Sequence, residues 1–98
     1  MNVARHVVVR GGVQGVGYRA FVDHEASRRG LSGWVRNRSD GTVEAVFAGE
    51  AALVDGMVAA CRKGPLGARV EGVEVREAVE AELPRRGQGT GFSVLPTA

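Results

Sequence analysis

The chain has 98 residues, 44% of them hydrophobic and 24% charged, which is typical of one globular domain. We therefore expect residues 1–98 to form a single domain. No run approaches the roughly 18 apolar residues of a membrane helix, and basic residues interrupt the first ten positions, where a signal peptide would need an apolar core. The single cysteine, Cys61, excludes an internal disulfide and a thiolate zinc site. These features predict a cytoplasmic protein without a membrane partner.

The net charge is only +2, from 13 Lys and Arg against 11 Asp and Glu. Residues 1–49 carry seven basic and four acidic side chains, whereas residues 50–98 carry six and seven. Nucleic-acid-binding domains of this size usually show a denser basic stripe. The first half is therefore suited to one small anion, and no nucleic acid partner is expected.

The first half of the chain predicts a strand, a glycine-rich loop and a helix. Residues 4–10 are rich in β-branched side chains, as strands are, and four glycines among residues 11–17 predict a loop. Residues 18–29 carry apolar side chains at helical spacing, and Gly30 is placed to cap the helix. The apolar positions of this helix are Tyr18, Phe21, Val22 and Ala26.

The second half predicts a hairpin, a helix and two more strands. Residues 32–38 and 42–48 are strands joined by a turn whose Asp40-Gly41 pair is a strong hairpin signal. Residues 51–63 form the second helix, which Gly64 ends. Residues 70–75 form a strand with a bulge at Gly72, and residues 92–95 form a short last strand. The buried face of the second helix is predicted to contain Leu53, Met57, Ala60 and Cys61.

The element order β-α-β-β-α-β, with a short C-terminal strand added, predicts an α+β fold of the ferredoxin-like, split β-α-β type. In this sandwich two helices cover one face of a mainly antiparallel sheet, with the first four strands in the order 4-1-3-2. The first two strands then run in the same direction on either side of the third. Their C-terminal ends emerge at one edge, where the glycine loop and Asn37 are expected to meet.

The glycine loop and the residue that follows it suggest an anion site. Glycines let the backbone turn successive N–H groups inward, and a helix N-terminus adds its dipole. Arg19 lies in the first turn of the helix, where a cation is normally disfavoured. An anion bound between the loop and Arg19 would remove that conflict.

Two nucleotide motifs can be set aside. Residues 15–20 match the dinucleotide pattern GxGxxA, but the next strand enters a hairpin, and a chain of this length cannot build the larger parallel sheet that the motif requires. The loop also lacks the Gly-Lys-Ser/Thr ending of a nucleotide P-loop. The loop therefore suits phosphate rather than a nucleotide.

Residues 9–19 and residues 33–37, VRGGVQGVGYR and GWVRN, together resemble the two signatures of the acylphosphatase family. Residues 9–19, VRGGVQGVGYR, are similar to the family's first signature, GxVQGVxFR. Residues 33–37, GWVRN, are similar to the second, and Gly41, Val43 and Gly49 follow at the family's spacing. The similarity extends to residues 91–94, GFSV, and Tyr18 departs from it, since the family usually has Phe or Met there.

The resemblance implies hydrolysis of the carboxyl–phosphate bond of acyl phosphates to a carboxylate and inorganic phosphate, without a metal or organic cofactor. It also implies a small acyl phosphate as the partner, inorganic phosphate as product and inhibitor, and a monomer. In the family the arginine binds the phosphoryl group and the asparagine orients the attacking water. The residues implied here are Arg19 and Asn37 as catalytic residues and the loop amides of Gly12, Val13, Gln14, Gly15, Val16, Gly17 and Tyr18.

The residue types agree with that chemistry. The carboxylate that departs has a conjugate acid with a pKa near 4, about that of Asp or Glu, so it needs no general acid. The Arg19 guanidinium can bind two phosphate oxygens, and the Asn37 amide can hold a water. An amide does not titrate, so Asn37 is not a base. A phosphoryl oxygen of the substrate as proton acceptor is a hypothesis that remains open at this point.

The other candidates have simpler interpretations. His6 and His24 are expected to be packing or surface residues, and Arg85 and Arg86 to be solvated, with attraction of anionic substrates as the alternative. Two further functions remain as alternatives: an accessory domain that binds carbamoyl phosphate for a larger enzyme, and an RNA-binding module. The RNA-binding module is disfavoured because the third strand, residues 42–48, has one aromatic side chain.

Overall fold

Two helices cover one face of a five-stranded sheet in the computed structural model, which describes residues 1–84 and 91–98. The first helix contacts the second and fifth strands, the second helix contacts the other three, and the helices contact each other. This arrangement confirms the α+β ferredoxin-like prediction. The elements are β1 (Asn2–Gly12), α1 (Tyr18–Arg28), β2 (Ser32–Asn37), β3 (Val43–Glu50), α2 (Ala51–Lys63), β4 (Arg69–Glu77), a 3-10 turn (Glu80–Glu82) and β5 (Phe92–Val94).

The strand order is β4-β1-β3-β2-β5, with β5 parallel to β2 and the other pairs antiparallel. The first four strands have the predicted order, and the short last strand extends the sheet beside β2. Among the described residues, neither helix is long and apolar enough to cross a membrane.

Strand β1 is longer than predicted and includes two glycines assigned to the loop. Gly11 and Gly12 pair with Val70 and Arg69 of β4. A Cβ at Gly11 would collide with the carbonyl oxygen of Arg69, so this pairing requires glycine. The connecting loop therefore begins at Val13.

The hairpin occurs where the sequence predicts it, and the bulge of β4 lies one residue away from its predicted position. In the turn, Arg38 N donates to Thr42 O at 2.9 Å, and Thr42 N donates to Asp40 Oδ1 at 3.0 Å. On β4, pairing with β1 passes from Gly72 to Val70 and leaves Glu71 unpaired, one residue from the predicted position.

The buried face of α2 differs from the prediction at one position. Leu53 is 40% exposed, whereas Val54, Met57 and Cys61 are fully buried. Successive residues of a helix are rotated by about 100°, so Leu53 faces away when Val54 faces the sheet. In α1 the buried residues are Tyr18, Val22 and Ala26, as predicted, while Phe21 is partly buried against the same core.

A buried hydrogen bond joins the start of α1 to the end of α2. Tyr18, 1% exposed, donates through its hydroxyl to the carbonyl oxygen of Cys61 at 2.8 Å. Helices leave the last four carbonyls without an intrahelical partner, and the tyrosine satisfies one of them. Burial raises the pKa of the Tyr18 hydroxyl above its usual value and that of the Cys61 thiol to about 12, so both groups stay protonated at neutral pH.

Candidate active site

A cavity of about 360 Å³ lies where α1 begins and β2 ends. Because β1 and β2 both flank β3 and run in the same direction, the glycine loop and Asn37 reach this edge together. Gly12, Gln14 and Val16 are outside the lining, although the sequence predicts them in the site. The lining residues are Val13, Gly15, Gly17, Tyr18, Arg19, Ala20, Asp23, Asn37 and Val94.

The loop beside this cavity has several unpaired backbone N–H groups. Gly15 and Gly17 have left-handed φ angles of 75° and 77°, and a Cβ at either would meet no atom within 4 Å, so backbone conformation rather than crowding favours glycine there. No side chain caps α1. Within residues 1–84 and 91–98, the amides from Gly15 to Arg19 have no acceptor. Such an N-terminus can bind an anion.

The amide of Val13 is engaged elsewhere in the loop. It donates to the carbonyl oxygen of Gly11 at 3.0 Å, and the Val13 side chain is buried in the core. The Val13 amide, which the sequence predicts to bind phosphate, is thus already paired within the loop. The unpaired amides from Gly15 to Arg19 lie further along the loop.

Gln14 connects the loop to the hairpin through its side chain. Its Nε2 donates to Arg38 O at 2.8 Å and to Thr42 O at 2.9 Å. These two carbonyls flank the turn that follows Asn37. The side chain thus forms the contacts that position the loop, while the Gln14 backbone amide, which the sequence predicts to bind phosphate, has no backbone acceptor among the described residues.

Asn37 has a buried oxygen without a partner. Its Oδ1 accepts no hydrogen bond from the described part of the chain. Its backbone is held by pairing with Val43, and its carbonyl oxygen accepts from Ala98 N at 3.0 Å. A buried carbonyl oxygen without a donor costs about 1–3 kcal/mol, which a bound water or ligand can offset. The side chain is thus suited to hold a water in the cavity.

Arg19 and Asp23 are the two charged residues among those that line the cavity. Arg19 forms no ion pair within 4.0 Å with the described residues, so its guanidinium is available to an anion. Asp23 follows it by one helical turn on the same face of α1. Asp23 is not among the predicted site residues, although its spacing from Arg19 could have indicated it.

A second cavity, of about 480 Å³, lies on the sheet face opposite the helices, beside Trp34, Glu44 and Glu82. It contains none of the predicted site residues. Arg85 and Arg86 lie outside the described residues, so their solvation stays a prediction.

A charged cluster lies beside this second cavity. His6, only 5% exposed, has its Nε2 2.6 Å from Glu44 Oε2 and 3.6 Å from Glu82 Oε2. Arg36 Nε donates to Glu44 at 2.7 Å, and Arg76 donates to both oxygens of Glu82. The three acceptor groups could approach one cation, but each carboxylate is already neutralised by an arginine that a metal would have to displace.

The cluster also changes the ionisation of both carboxylates. The hydrogen bond from Arg76 lowers the pKa of Glu82 to about 2. Burial would raise the pKa of Glu44, but hydrogen bonds from His6 and Arg36 outweigh it and hold that pKa below its usual value. This cluster was not predictable from the sequence, because its members come from separate elements.

Comparisons with known proteins agree with the fold and with the two signatures. A family model described as Acylphosphatase matches residues 5–94. An acylphosphatase from Bradyrhizobium diazoefficiens is 56% identical over 91 residues, covering 93% of this chain and 92% of that relative. The crystal structure of an acylphosphatase from Bacillus subtilis superposes with a TM-score of 0.82 at 35% identity, covering 97% of this chain and 99% of that chain. The crystal structure of T. kodakarensis HypF superposes with a TM-score of 0.76 at 30% identity, covering 97% of this chain but 12% of that chain.

The fold and these relationships define a hydrolase of acyl phosphates built on a ferredoxin-like sandwich. The chain belongs to the acylphosphatase family, as the two sequence signatures indicate. Its reaction cleaves the carboxyl–phosphate bond of an acyl phosphate to a carboxylate and inorganic phosphate.

Proposed function

We propose that Arg19 and the free amides at the start of α1 hold the phosphoryl group of the acyl phosphate while Asn37 orients the attacking water. The observation that carries the proposal is the buried Asn37 Oδ1, an acceptor without a donor among the described residues, which lines the same cavity as Arg19. A water that donates to this oxygen would satisfy it and would lie beside the bound phosphoryl group.

The chemistry needs little beyond positioning and charge stabilisation. The leaving carboxylate is stable at neutral pH because its conjugate acid has a pKa near 4. Bidentate contacts from Arg19 and N–H groups from residues 15–19 would stabilise the charge on the equatorial oxygens of the transition state. Asn37 cannot accept the proton of the water, so we propose that a phosphoryl oxygen of the substrate takes it.

Inorganic phosphate tests the role of Arg19 without turnover. A ligand at ten times its Kd stabilises the native state by about 1.4 kcal/mol, which corresponds to a Tm increase of about 5–10 °C in a domain of this size. The parent and Asn37→Ala should both show this increase. Arg19→Ala should lose most of it, and Arg19→Lys, which keeps the charge without the planar guanidinium, should be intermediate.

Two controls make the result specific. Sodium chloride at matched ionic strength corrects for nonspecific salt stabilisation. Arg28→Ala removes the same charge from the last turn of α1, where Arg28 is paired with Glu25, and should keep the full shift. An Arg19→Ala protein that shifts as much as the parent would show that phosphate binds without Arg19.

A carbamoyl-phosphate-binding accessory domain is the second candidate. One observation favours it: the same fold occurs as a small part of the longer HypF chain. Comparison of benzoyl phosphate with carbamoyl phosphate separates the candidates, since an acylphosphatase should hydrolyse the first efficiently. The position of Phe47 argues against the RNA-binding alternative: this residue, the one aromatic residue of β3, is fully buried and stacked on Phe92, so β3 offers no exposed ring for base stacking.

Other expectations from the sequence remain part of the proposal. We infer that residues 1–98 act as one monomeric domain in the cytoplasm and that inorganic phosphate inhibits as a product. Sedimentation equilibrium tests whether the protein is a monomer. The inhibition of benzoyl phosphate hydrolysis by added phosphate tests product inhibition. Competitive inhibition is expected because product and substrate would bind the same amides and Arg19.

A further inference from the structure

The cavity contains a negative charge that the hydrolysis of an acyl phosphate does not require. Asp23 is partly buried and lines the cavity together with Arg19. The only hydrogen bond to its carboxylate from the described residues comes from Ser27 Oγ, at a long 3.4 Å. No basic group of the described chain lies within 4.0 Å of it. Its charge therefore has no direct ion-pair partner among the described residues, and Arg19, one helical turn earlier, is the cation that lines the same cavity.

Asp23 lies beyond the phosphate end of the cavity. It is four positions after Arg19, so it is about 6 Å further along the axis of α1. The lining residues beside this stretch are Ala20 and Val94, and Val94 is 46% exposed. An acyl group that extends from a phosphoryl group bound at the helix N-terminus would therefore lie against small apolar side chains and near one carboxylate.

We propose that Asp23 determines acyl specificity: it disfavours acyl phosphates whose acyl group carries a negative charge and favours neutral or ammonium-bearing acyl groups. The inference rests on the proposed binding of the phosphoryl group at Arg19. A charge on the acyl group that comes within about 6–8 Å of Asp23 at the cavity mouth changes kcat/KM by about 3- to 10-fold. The effect is electrostatic, so it weakens as salt shortens the Debye length.

Three substrates of similar shape test the proposal: benzoyl phosphate, 4-carboxybenzoyl phosphate and 4-(aminomethyl)benzoyl phosphate. Each substrate is compared between the parent and Asp23→Asn, so differences in intrinsic reactivity cancel. In the variant, kcat/KM for the anionic substrate relative to benzoyl phosphate should rise about 3- to 10-fold, and that for the cationic substrate should fall by a similar factor. Both changes should shrink in 0.5 M sodium chloride.

Two control variants separate the local charge from other effects. Asp55→Asn removes the same charge from the exposed side of α2, and Ser27→Ala removes the hydrogen bond to Asp23 while keeping its charge. Both should keep the substrate ratios of the parent. A ratio change in Asp55→Asn equal to that in Asp23→Asn would replace the proposal with a general effect of net charge.

Two results would overturn the proposal directly. An equal change in kcat/KM for all three substrates in Asp23→Asn would mean that Asp23 does not interact with the charge of the acyl group. An equal and large loss would point instead to a role of Asp23 in proton transfer. An unchanged kcat/KM for each of the three substrates would mean that the acyl group does not pass Asp23. The phosphate-induced Tm shift tests the role of Arg19 independently, so a failure of that role can be distinguished from a failure of the Asp23 proposal. Hydrolysis of none of the three substrates would refute both the proposed function and the Asp23 proposal.

Discussion

The side-chain amide of Gln14 donates to the carbonyl oxygen of Arg38 at 2.8 Å, and this contact connects the glycine loop to the strand that carries Asn37. The same nitrogen donates to Thr42 O across the turn. One side chain therefore fixes the distance between the loop amides and the Asn37 side chain. Groups that act together on one phosphoryl group must be held in such a relationship, since a displacement of about 1 Å can cost 10²-fold in rate.

Replacement of Gln14 tests whether this connection supports catalysis. Gln14→Met keeps the length of the side chain and removes both donors, so we expect kcat/KM to fall about 10-fold and stability to fall by about 1 kcal/mol. Kinetics measured well below the Tm separate the two effects. Gln14→Glu places a carboxylate against two carbonyl oxygens and should be worse in both respects. An unchanged kcat/KM with a lowered Tm would limit Gln14 to a structural role.

Asn37→Ala tests the orientation of water. The substitution should lower kcat by about 10²–10³, because a positioned polar group acts mainly in the transition state. Phosphate affinity, measured from the Tm shift, should stay near that of the parent. Asn37→Asp is the matched comparison, since it keeps an acceptor but adds a charge that should weaken phosphate binding. A kcat for Asn37→Ala within threefold of the parent would remove this residue from the mechanism.

Tyr18→Phe tests the hydrogen bond between the helices. Loss of the hydroxyl leaves the buried carbonyl oxygen of Cys61 without its donor. We expect stability to fall by about 1–2 kcal/mol, which corresponds to a Tm decrease of about 4–15 °C. Denaturant titration monitored by circular dichroism measures the change. An unaltered midpoint would mean that water or another group satisfies that carbonyl.

The charged cluster predicts a dependence of stability on pH. The folded-state pKa of Glu82 is about 2, below its unfolded value of about 4.3, so its contribution is complete above pH 5 and is lost as the pH falls toward 2. Glu82→Gln should be less stable than the parent by about 1 kcal/mol at pH 7. The Tm difference between the two proteins should narrow steadily between pH 5 and pH 2. A Tm difference that does not change with pH would show that the lower stability of Glu82→Gln does not come from loss of the ionised carboxylate.

The local features were predictable from the sequence. Residues 51–63 form α2 with the predicted bounds, and the Asp40-Gly41 turn forms the predicted hairpin. The order of the elements also predicted that Arg19 and Asn37 would line one cavity, because two strands that run in the same direction beside a third end at the same edge. These predictions succeed since they rest on short-range periodicity, on turn residues and on the small number of topologies that the element order permits.

The amino-acid sequence by itself determined the elements, their order, the family and the edge of the sheet where the site forms. Only the tertiary structure decided which side chains meet there and elsewhere: Gln14 with the carbonyl of Arg38, Asp23 with the cavity, and His6 with Glu44, 38 positions away. Such contacts depend on strand register and helix rotation, where a shift of one residue turns a side chain to another face. Leu53 and Val54 are a further case that the sequence could not decide. Both are apolar, and the packing of α2 against the sheet determines which of them is buried.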